Sequence, residues 1–375
     1  MNLSNSDRQI AIATGTRADW GLLLPLAQEL RTRGHEPLIM ATHAHFFDEL
    51  GMTVNEIIAD GFTPACRILT SRVPAEAMAD TTVGFAGHLS ELQPGALVIL
   101  GDRFEMLGAA SAAVLSNVPI VHIAGGNVTL GAFDNSIRNA ISQMATLHLP
   151  ETDKCGERLA SMGIAPERIV VAGSPGVYNA LNINLLSLSE LEESLHFQLG
   201  DDFLLATMHA ATLDTVPPLQ QMTNFLDGLR IHLNEFPNRR LILTYPNSDS
   251  DTTLLIKAIE DFKTEFPERI LTIPSLGRVR YLSAAALCRA VIGNSSSGIE
   301  ETPSLGIPTL DIGNRQSGRE RGEGVMHCEG DAESISKALH EVTSERFREI
   351  AGKASNPYFK ENTPARQADF CLSLL

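Results

Sequence analysis

Short apolar runs rich in β-branched residues alternate along this chain with stretches of helical length whose apolar residues recur every three or four positions. That pattern folds into parallel strands covered by helices. In the first half the runs are Gln9–Thr14, Pro37–Thr42, Ala96–Leu100 and Pro119–Ile123, and Arg168–Ala172 is expected to add a sixth or seventh strand. Helical periodicity occupies Leu22–Arg33, Ala75–Leu92, Glu105–Leu115, Ser136–Met144 and Thr152–Met162. The rhythm breaks over residues 179–200. A second series then runs through Phe203–Met208, Arg240–Tyr245, Ile270–Ile273, Ala290–Ile292 and Pro308–Ile312, with helices at Leu219–Asn234, Thr252–Phe262 and Val279–Leu287 between them. The expected fold class is α/β, with two Rossmann-like domains at residues 1–180 and 181–355 and a segment, residues 356–375, that crosses back to the first.

Charge narrows the partners. Against 29 basic residues stand 45 acidic ones, a formal charge of −16, which repels nucleic acid and anionic lipid. No nucleic acid and no membrane are expected as partners, and an anionic small ligand needs a local arginine or a helix N-terminus. The five cysteines lie far apart without zinc spacing, which fits a reducing, cytoplasmic setting. No basic start followed by an apolar stretch opens the sequence, and no apolar run reaches about 18 residues, so neither a signal peptide nor a membrane span is expected.

In open α/β sheets ligands bind beyond the carboxyl ends of the strands, which is where this sequence places its unusual residues. Gly15-Thr16-Arg17-Ala18-Asp19-Trp20 opens a helix after the first strand: glycine permits a tight turn, the helix start offers amides to an anion, and Arg17 adds a positive fork. The same residues also serve an ordinary strand-to-helix turn. Gly101-Asp102-Arg103-Phe104-Glu105 follows a later strand, and Asp102 with Glu105 has the form of a capping box as well as that of an acid facing a ligand. Then come His122-Ile123-Ala124-Gly125-Gly126-Asn127, where paired glycines would let backbone approach a ligand and His122 reads as a core residue. Asp134 and Arg138 follow on one helical face. In the second half His209 ends a strand. Gly293-Asn294-Ser295-Ser296-Ser297-Gly298-Ile299-Glu300-Glu301 suits a diphosphate at a helix start, with Glu301 a turn further in for a ribose. Gly313–Gly322 then carries Arg315, Arg319 and Arg321.

The motifs GTRADW, GDRFE, HIAGG, GAFDNSIRNAI, AGSPGVYN, GNSSSGIEE, PTLDIGNRQSGRERGEG and NPY, taken in order, make the chain resemble the UDP-N-acetylglucosamine 2-epimerase family, its hydrolysing branch above all, over nearly its whole length. The resemblance implies a glycosyltransferase-B type fold with a cleft between two Rossmann-like domains. It also implies a nucleotide-sugar substrate, no cofactor and no metal, and assembly as a homodimer or homotetramer. The setting it implies is sialic, legionaminic or related acid synthesis. By that resemblance Asp102, Asp134, Arg138 and His209 take catalytic roles. Arg17, Asp19, Arg103, Asn127, Ser295, Ser296, Ser297, Gly298, Glu301 and Arg315 bind substrate, with Arg17 and Arg315 neutralising the diphosphate. Departures are local. The family carries a glutamate beside the double glycine where this chain has Ala124 and Asn127, and Asn139 and Ala210 stand where a histidine and a proline are usual. Activity on UDP-N-acetylglucosamine is expected to be low, and a glutamate restored at 127 is expected to raise it if the site is otherwise intact. Three readings stay open: a hydrolysing 2-epimerase, a nucleotide-sugar binding homologue without turnover, and a non-hydrolysing epimerase or glycosyltransferase of the same fold.

Overall fold

The computed structural model describes residues 8–129, 134–211, 214–246 and 252–375. These fall into two compact units, one formed by residues 8–127, 134–179 and 358–375, the other by 128–129 and 180–357. Each is built on one six-stranded parallel sheet. The first contains β1 (Ile10–Thr14), β2 (Leu38–Thr42), β3 (Pro64–Ile68), β4 (Ala96–Leu100), β5 (Ile120–Ile123) and β6 (Leu147–Leu149) in the order β3-β2-β1-β4-β5-β6. The second contains β7 (Phe203–Thr207), β8 (Arg240–Thr244), β9 (Ile270–Ile273), β10 (Ala290–Gly293), β11 (Thr309–Ile312) and β12 (Val325–Cys328) in the order β12-β11-β10-β7-β8-β9. Read from β9, that is the same topology twice, so each unit has a switch point where its first and fourth strands lie side by side, β1 with β4 and β7 with β10.

The central strands β1, β4 and β7 are buried at every residue because helices cover both faces of their sheets. The strands missing from the expectation are β3, β6 and β12. β3 opens on a proline and buries only alternate residues, β6 has three residues, and β12 is partly exposed, so none shows a long apolar run. Conversely, Arg168–Ala172 is not a sheet strand. Pro166–Arg168 forms a single 3-10 turn, Ile169 makes an isolated bridge to His148 of β6, and the Val170 and Ala172 amides donate to the His148 and Pro150 carbonyls at 3.0 Å.

The first helix, Arg17–Thr32, starts a turn and a half earlier than its apolar periodicity suggested, because Thr16 caps it with a hydroxyl that accepts from the Asp19 amide at 3.2 Å. Pro25 lies inside this helix and has no amide to give the Gly21 carbonyl. The Asn179 side chain donates to that carbonyl instead, at 2.8 Å. Trp20, on the same helix, is buried edge-on against Phe62 with its Nε1 on Asp60 at 2.8 Å. The last helix, Thr363–Leu372, buries Ala368 and Cys371 in the core that contains Ile10, Ile12, Val98 and Leu26, and Arg33 pairs with Asp369. Among the described residues no helix is long and apolar enough to cross a membrane.

At the second switch point Gly293 has a φ of +134°, and a Cβ there would strike the Thr207 carbonyl oxygen. Gly293→Ala is therefore expected to lower the stability of the second unit by about 2 to 5 kcal/mol. Denaturant unfolding followed by circular dichroism checks this, and a loss below about 0.5 kcal/mol would show that β7 and β10 can separate to admit a side chain.

Candidate active site

In the first unit the site residues lie beyond the carboxyl ends of β1, β4, β5 and β6. Arg138, on the helix Asp134–Met144, is 3% exposed. One of its amino groups donates to the Asn127 carbonyl at 2.8 Å, and the other forms an ion pair with Asp102. The capping-box expectation for Asp102 and Glu105 fails. The helix Phe104–Leu115 begins at Arg103 without a side-chain cap, Asp102 turns to Arg138, and Glu105 is fully buried against Arg103. Gly15 is a glycine for the same reason, since a Cβ there would collide with the Glu105 carboxylate.

Asp19 belongs to that second cluster. Burial pushes its carboxyl from 3.8 up to about 6, Glu105 adding to the rise while Arg103 and the hydrogen bonds of Thr16 and Gly15 oppose it. Burial works against the charge on Arg103, yet Glu105, Asp19 and Asp134 hold it protonated more firmly than usual. Arg17 is exposed and pairs with Glu56 at 3.1 Å.

The protein's own packing requires the double glycine. A Cβ on Gly125 would crowd the His122 ring and Ser142, and one on Gly126, at a φ of +79°, would strike the Cys155 carbonyl. His122 is the core residue expected. Its Nε2 donates to the Gly101 carbonyl at 2.8 Å, its Nδ1 faces the Ser142 hydroxyl at 3.0 Å, and burial lowers its pKa to about 4, so it is neutral.

Glu151, two residues past β6, was missed at the level of sequence. It is 5% exposed and accepts from Asn127 Nδ2 at 2.5 Å. In L-P-E-T-D it is masked by a helix start, because Thr152 caps the helix Asp153–Ser161. The signal was an acid directly beyond a three-residue apolar run. Five carboxylates (Asp19, Asp102, Glu105, Asp134, Glu151) thus lie at these strand ends with Arg103 and Arg138, and Arg158 donates to the Gly126 carbonyl.

In the second unit Asn294 is 1% exposed and bonds the His209 backbone twice, accepting from its amide at 2.8 Å and donating to its carbonyl at 2.9 Å. The Asn294 carbonyl in turn takes Arg315 at 3.1 Å and Gln316 at 2.9 Å. His209 is buried, and burial followed by the Arg315 charge brings it down to about 4, so at neutral pH it offers an uncharged imidazole. The helix after β10 is only Ser296–Glu300. Glu301 closes it instead of lying a turn within, and its carboxylate accepts from the Ser297 hydroxyl. A cavity beside this turn is lined by Thr207, Tyr281, Gly293, Ser295 and Gly298. Of the three loop arginines, Arg319 pairs with Glu300, Arg321 pairs with buried Asp311, and Arg315 donates to the Asn294 carbonyl. Among the described residues no group of three or more His, Cys, Asp and Glu is arranged to hold a metal ion.

A sequence profile of the family described as UDP-N-acetylglucosamine 2-epimerase matches residues 28–371. The chain belongs to this family. Within the UDP-N-acetylglucosamine 2-epimerases it is 33% identical over 350 residues to the GDP/UDP-N,N'-diacetylbacillosamine 2-epimerase (hydrolyzing) of Campylobacter jejuni, covering 92% of this chain and 90% of that protein. To the UDP-N,N'-diacetylbacillosamine 2-epimerase (hydrolyzing) of Legionella pneumophila it is 30% identical, with 89% of each covered. The fold matches that of the UDP-GlcNAc 2-epimerase of Neisseria meningitidis, solved bound to UDP-GlcNAc, with a TM-score of 0.78 at 16% identity over 97% of this chain and 100% of that one. The architecture is thus of the glycosyltransferase-B type shared by these 2-epimerases.

Because Asp19 has a higher pKa folded than unfolded, the native state binds more protons between about pH 4 and pH 6, and stability falls as pH rises through that window. The Asp19→Asn variant, neutral throughout, is expected to lack this component, worth at most about 3 kcal/mol. Melts of both proteins from pH 4 to pH 7 check it. Parallel curves would mean that Asp19 titrates normally.

Proposed function

We propose that this chain is a hydrolysing 2-epimerase acting on UDP-N-acetylglucosamine or a 4-amino-4,6-dideoxy relative, and that it releases the free 2-epimeric sugar and a nucleoside diphosphate. The observation that carries the reading is the excess of carboxylates around Arg103 and Arg138 at the strand ends of the first unit, in a chain that matches two hydrolysing 2-epimerases over most of its length. The C2 proton of such a sugar has no carbonyl to acidify it, so the C1–O bond to the diphosphate must break ahead of proton loss and positive charge grows on the ring. Carboxylates stabilise that charge. The C2–H electron pair becomes the C1=C2 double bond of a glycal, the proton passes to a carboxylate, and the diphosphate leaves with the C1–O pair. Water then adds its oxygen to C1 while a proton returns to C2 on the opposite face, which inverts that centre.

In this reading Asp102 and Asp134 serve the sugar, Arg138 holds Asp102 in place, and Asp19 and Arg103 complete the sugar side. Ser295, Ser296, Ser297, Gly298 and Glu301 hold the diphosphate and ribose, with Arg315 and Arg17 for the phosphate charge. His209, held by Asn294, contributes a neutral hydrogen-bonding group. The family resemblance supports a cytoplasmic homodimer or homotetramer in sialic or legionaminic acid synthesis, and light scattering after gel filtration decides the assembly.

A proton NMR time course with UDP-N-acetylglucosamine and its 4-acetamido-4,6-dideoxy counterpart tests the activity. Free sugar with an axial 2-acetamido group plus nucleoside diphosphate is expected. A product still joined to the nucleotide would make this a non-hydrolysing epimerase, and binding without product a binding protein. Asp102→Asn is expected to cut turnover at least about a hundredfold with UDP affinity nearly unaltered, and parent-level turnover would remove Asp102 from the chemistry. Glu301→Ala is expected to weaken UDP binding about tenfold to a hundredfold in calorimetry, and equal affinity would remove Glu301 from the nucleotide site.

A further inference from the structure

We propose that Glu151 is the carboxylate that exchanges a proton with the sugar at C2, and that Asn127 is its positioning residue. The inference rests on the epimerase reading above and names a residue which that reading does not use. Glu151 follows β6 as Asn127 follows β5 and Asp102 follows β4, so all three stand at neighbouring strand ends of one sheet. They are also chemically joined. Glu151 accepts from Asn127 Nδ2 at 2.5 Å, the Asn127 carbonyl accepts from Arg138, and Arg138 pairs with Asp102.

The orientation of the Asn127 amide is fixed from its other side, where the Cys155 thiol donates to Oδ1 at 2.9 Å. The amide therefore presents NH2, and only NH2, to Glu151. An amide does not take up a proton in the neutral range, whereas a carboxylate does. Asn127 thus cannot perform proton transfer, and the acid it holds can.

A purely structural account leaves the charge unexplained. Glu151 is buried, and among the described residues no arginine or lysine forms an ion pair with it. A buried carboxylate with a neutral donor for its partner is costly to keep, and a glutamine would fill the same space and keep the same hydrogen bond without that cost. Retaining the acid beside the Asp102–Arg138 pair fits a group that has to hold and release a proton. In the reaction written above, the proton leaving C2 passes to one Glu151 oxygen while the C2–H electron pair forms the C1=C2 bond and the diphosphate departs. The proton is then lost to water, which restores the carboxylate.

This geometry also revises what a glutamate restored at 127 does. With Glu151 in place, a second carboxylate would face the first at hydrogen-bond distance, so Asn127→Glu alone is expected to lower turnover instead of raising it. The test compares the full-length parent with Glu151→Gln, Asn127→Glu and the exchange variant Asn127→Glu/Glu151→Ala, using sugar release by NMR, UDP affinity by calorimetry and thermal melts. Glu151→Gln is expected to keep UDP affinity within about twofold and to lose at least about a hundredfold in turnover. The exchange variant is expected to recover at least about tenfold over Glu151→Gln. Parent-level turnover in Glu151→Gln overturns the proposal and leaves the epimerase reading standing. If the parent releases no sugar and no nucleoside diphosphate from any nucleotide sugar offered, the epimerase reading fails and this proposal falls with it. Should Glu151→Gln melt below the assay temperature, the exchange variant decides: folded and active supports the assignment, folded and inactive overturns it.

Discussion

A guanidinium with almost no solvent contact has to be neutralised and hydrogen-bonded where it lies, and Arg138 imposes that demand on everything around it. Asp102 answers with charge and the Asn127 carbonyl with a lone pair. Meeting both requirements fixes the end of β4, the loop after β5 and the first turn of the helix Asp134–Met144 against one another. The loop after β5 is further fastened by the Ala124 amide on the Leu149 carbonyl at 3.1 Å and by Arg158 on Gly126. A site made of loops thereby gains the rigidity of the sheet beneath it.

The two units carry their charges differently. In the first, acids outnumber bases at the strand ends, and burial pushes the pKa of one of them, Asp19, up to about 6. In the second, buried Asp311 and half-buried Glu300 absorb Arg321 and Arg319. His209 stays uncharged because it is buried near Arg315.

What could be read from the sequence follows from burial. β1, β4 and β7 were plain because both faces are covered and every residue is apolar or small, while β3 and β12 at the sheet edges carry exposed positions and β6, though buried, is only three residues long. Asp102 and His209 were visible as polar residues just beyond legible strands, and Asp134 and Arg138 as charges four apart at a helix start. Their partners were not, since Asp102 with Glu105 and Thr152 with Asp153 both carry the local signature of helix starts, and only three-dimensional contact shows that Asp102 serves Arg138 and that Glu151 serves Asn127. Gly15 and Gly126 were recognised as special, but their reasons, the Glu105 carboxylate and the Cys155 carbonyl, come from distant sequence.

The Thr363–Leu372 helix completes the core of a unit whose other residues end at Asn179, and Ser174 reaches forward to bond the Tyr358 carbonyl at 2.9 Å. During synthesis the sheet that emerges first from the ribosome therefore cannot bury Ala27, Leu30 and their neighbours fully until the final residues have been made, whereas nearly all of the second unit is available some twenty residues earlier. At about 5 to 20 residues per second the delay for the first unit is on the order of ten seconds or more. Through that interval its helix Arg17–Thr32 has an uncovered apolar flank, and the unit begun first is the last to close.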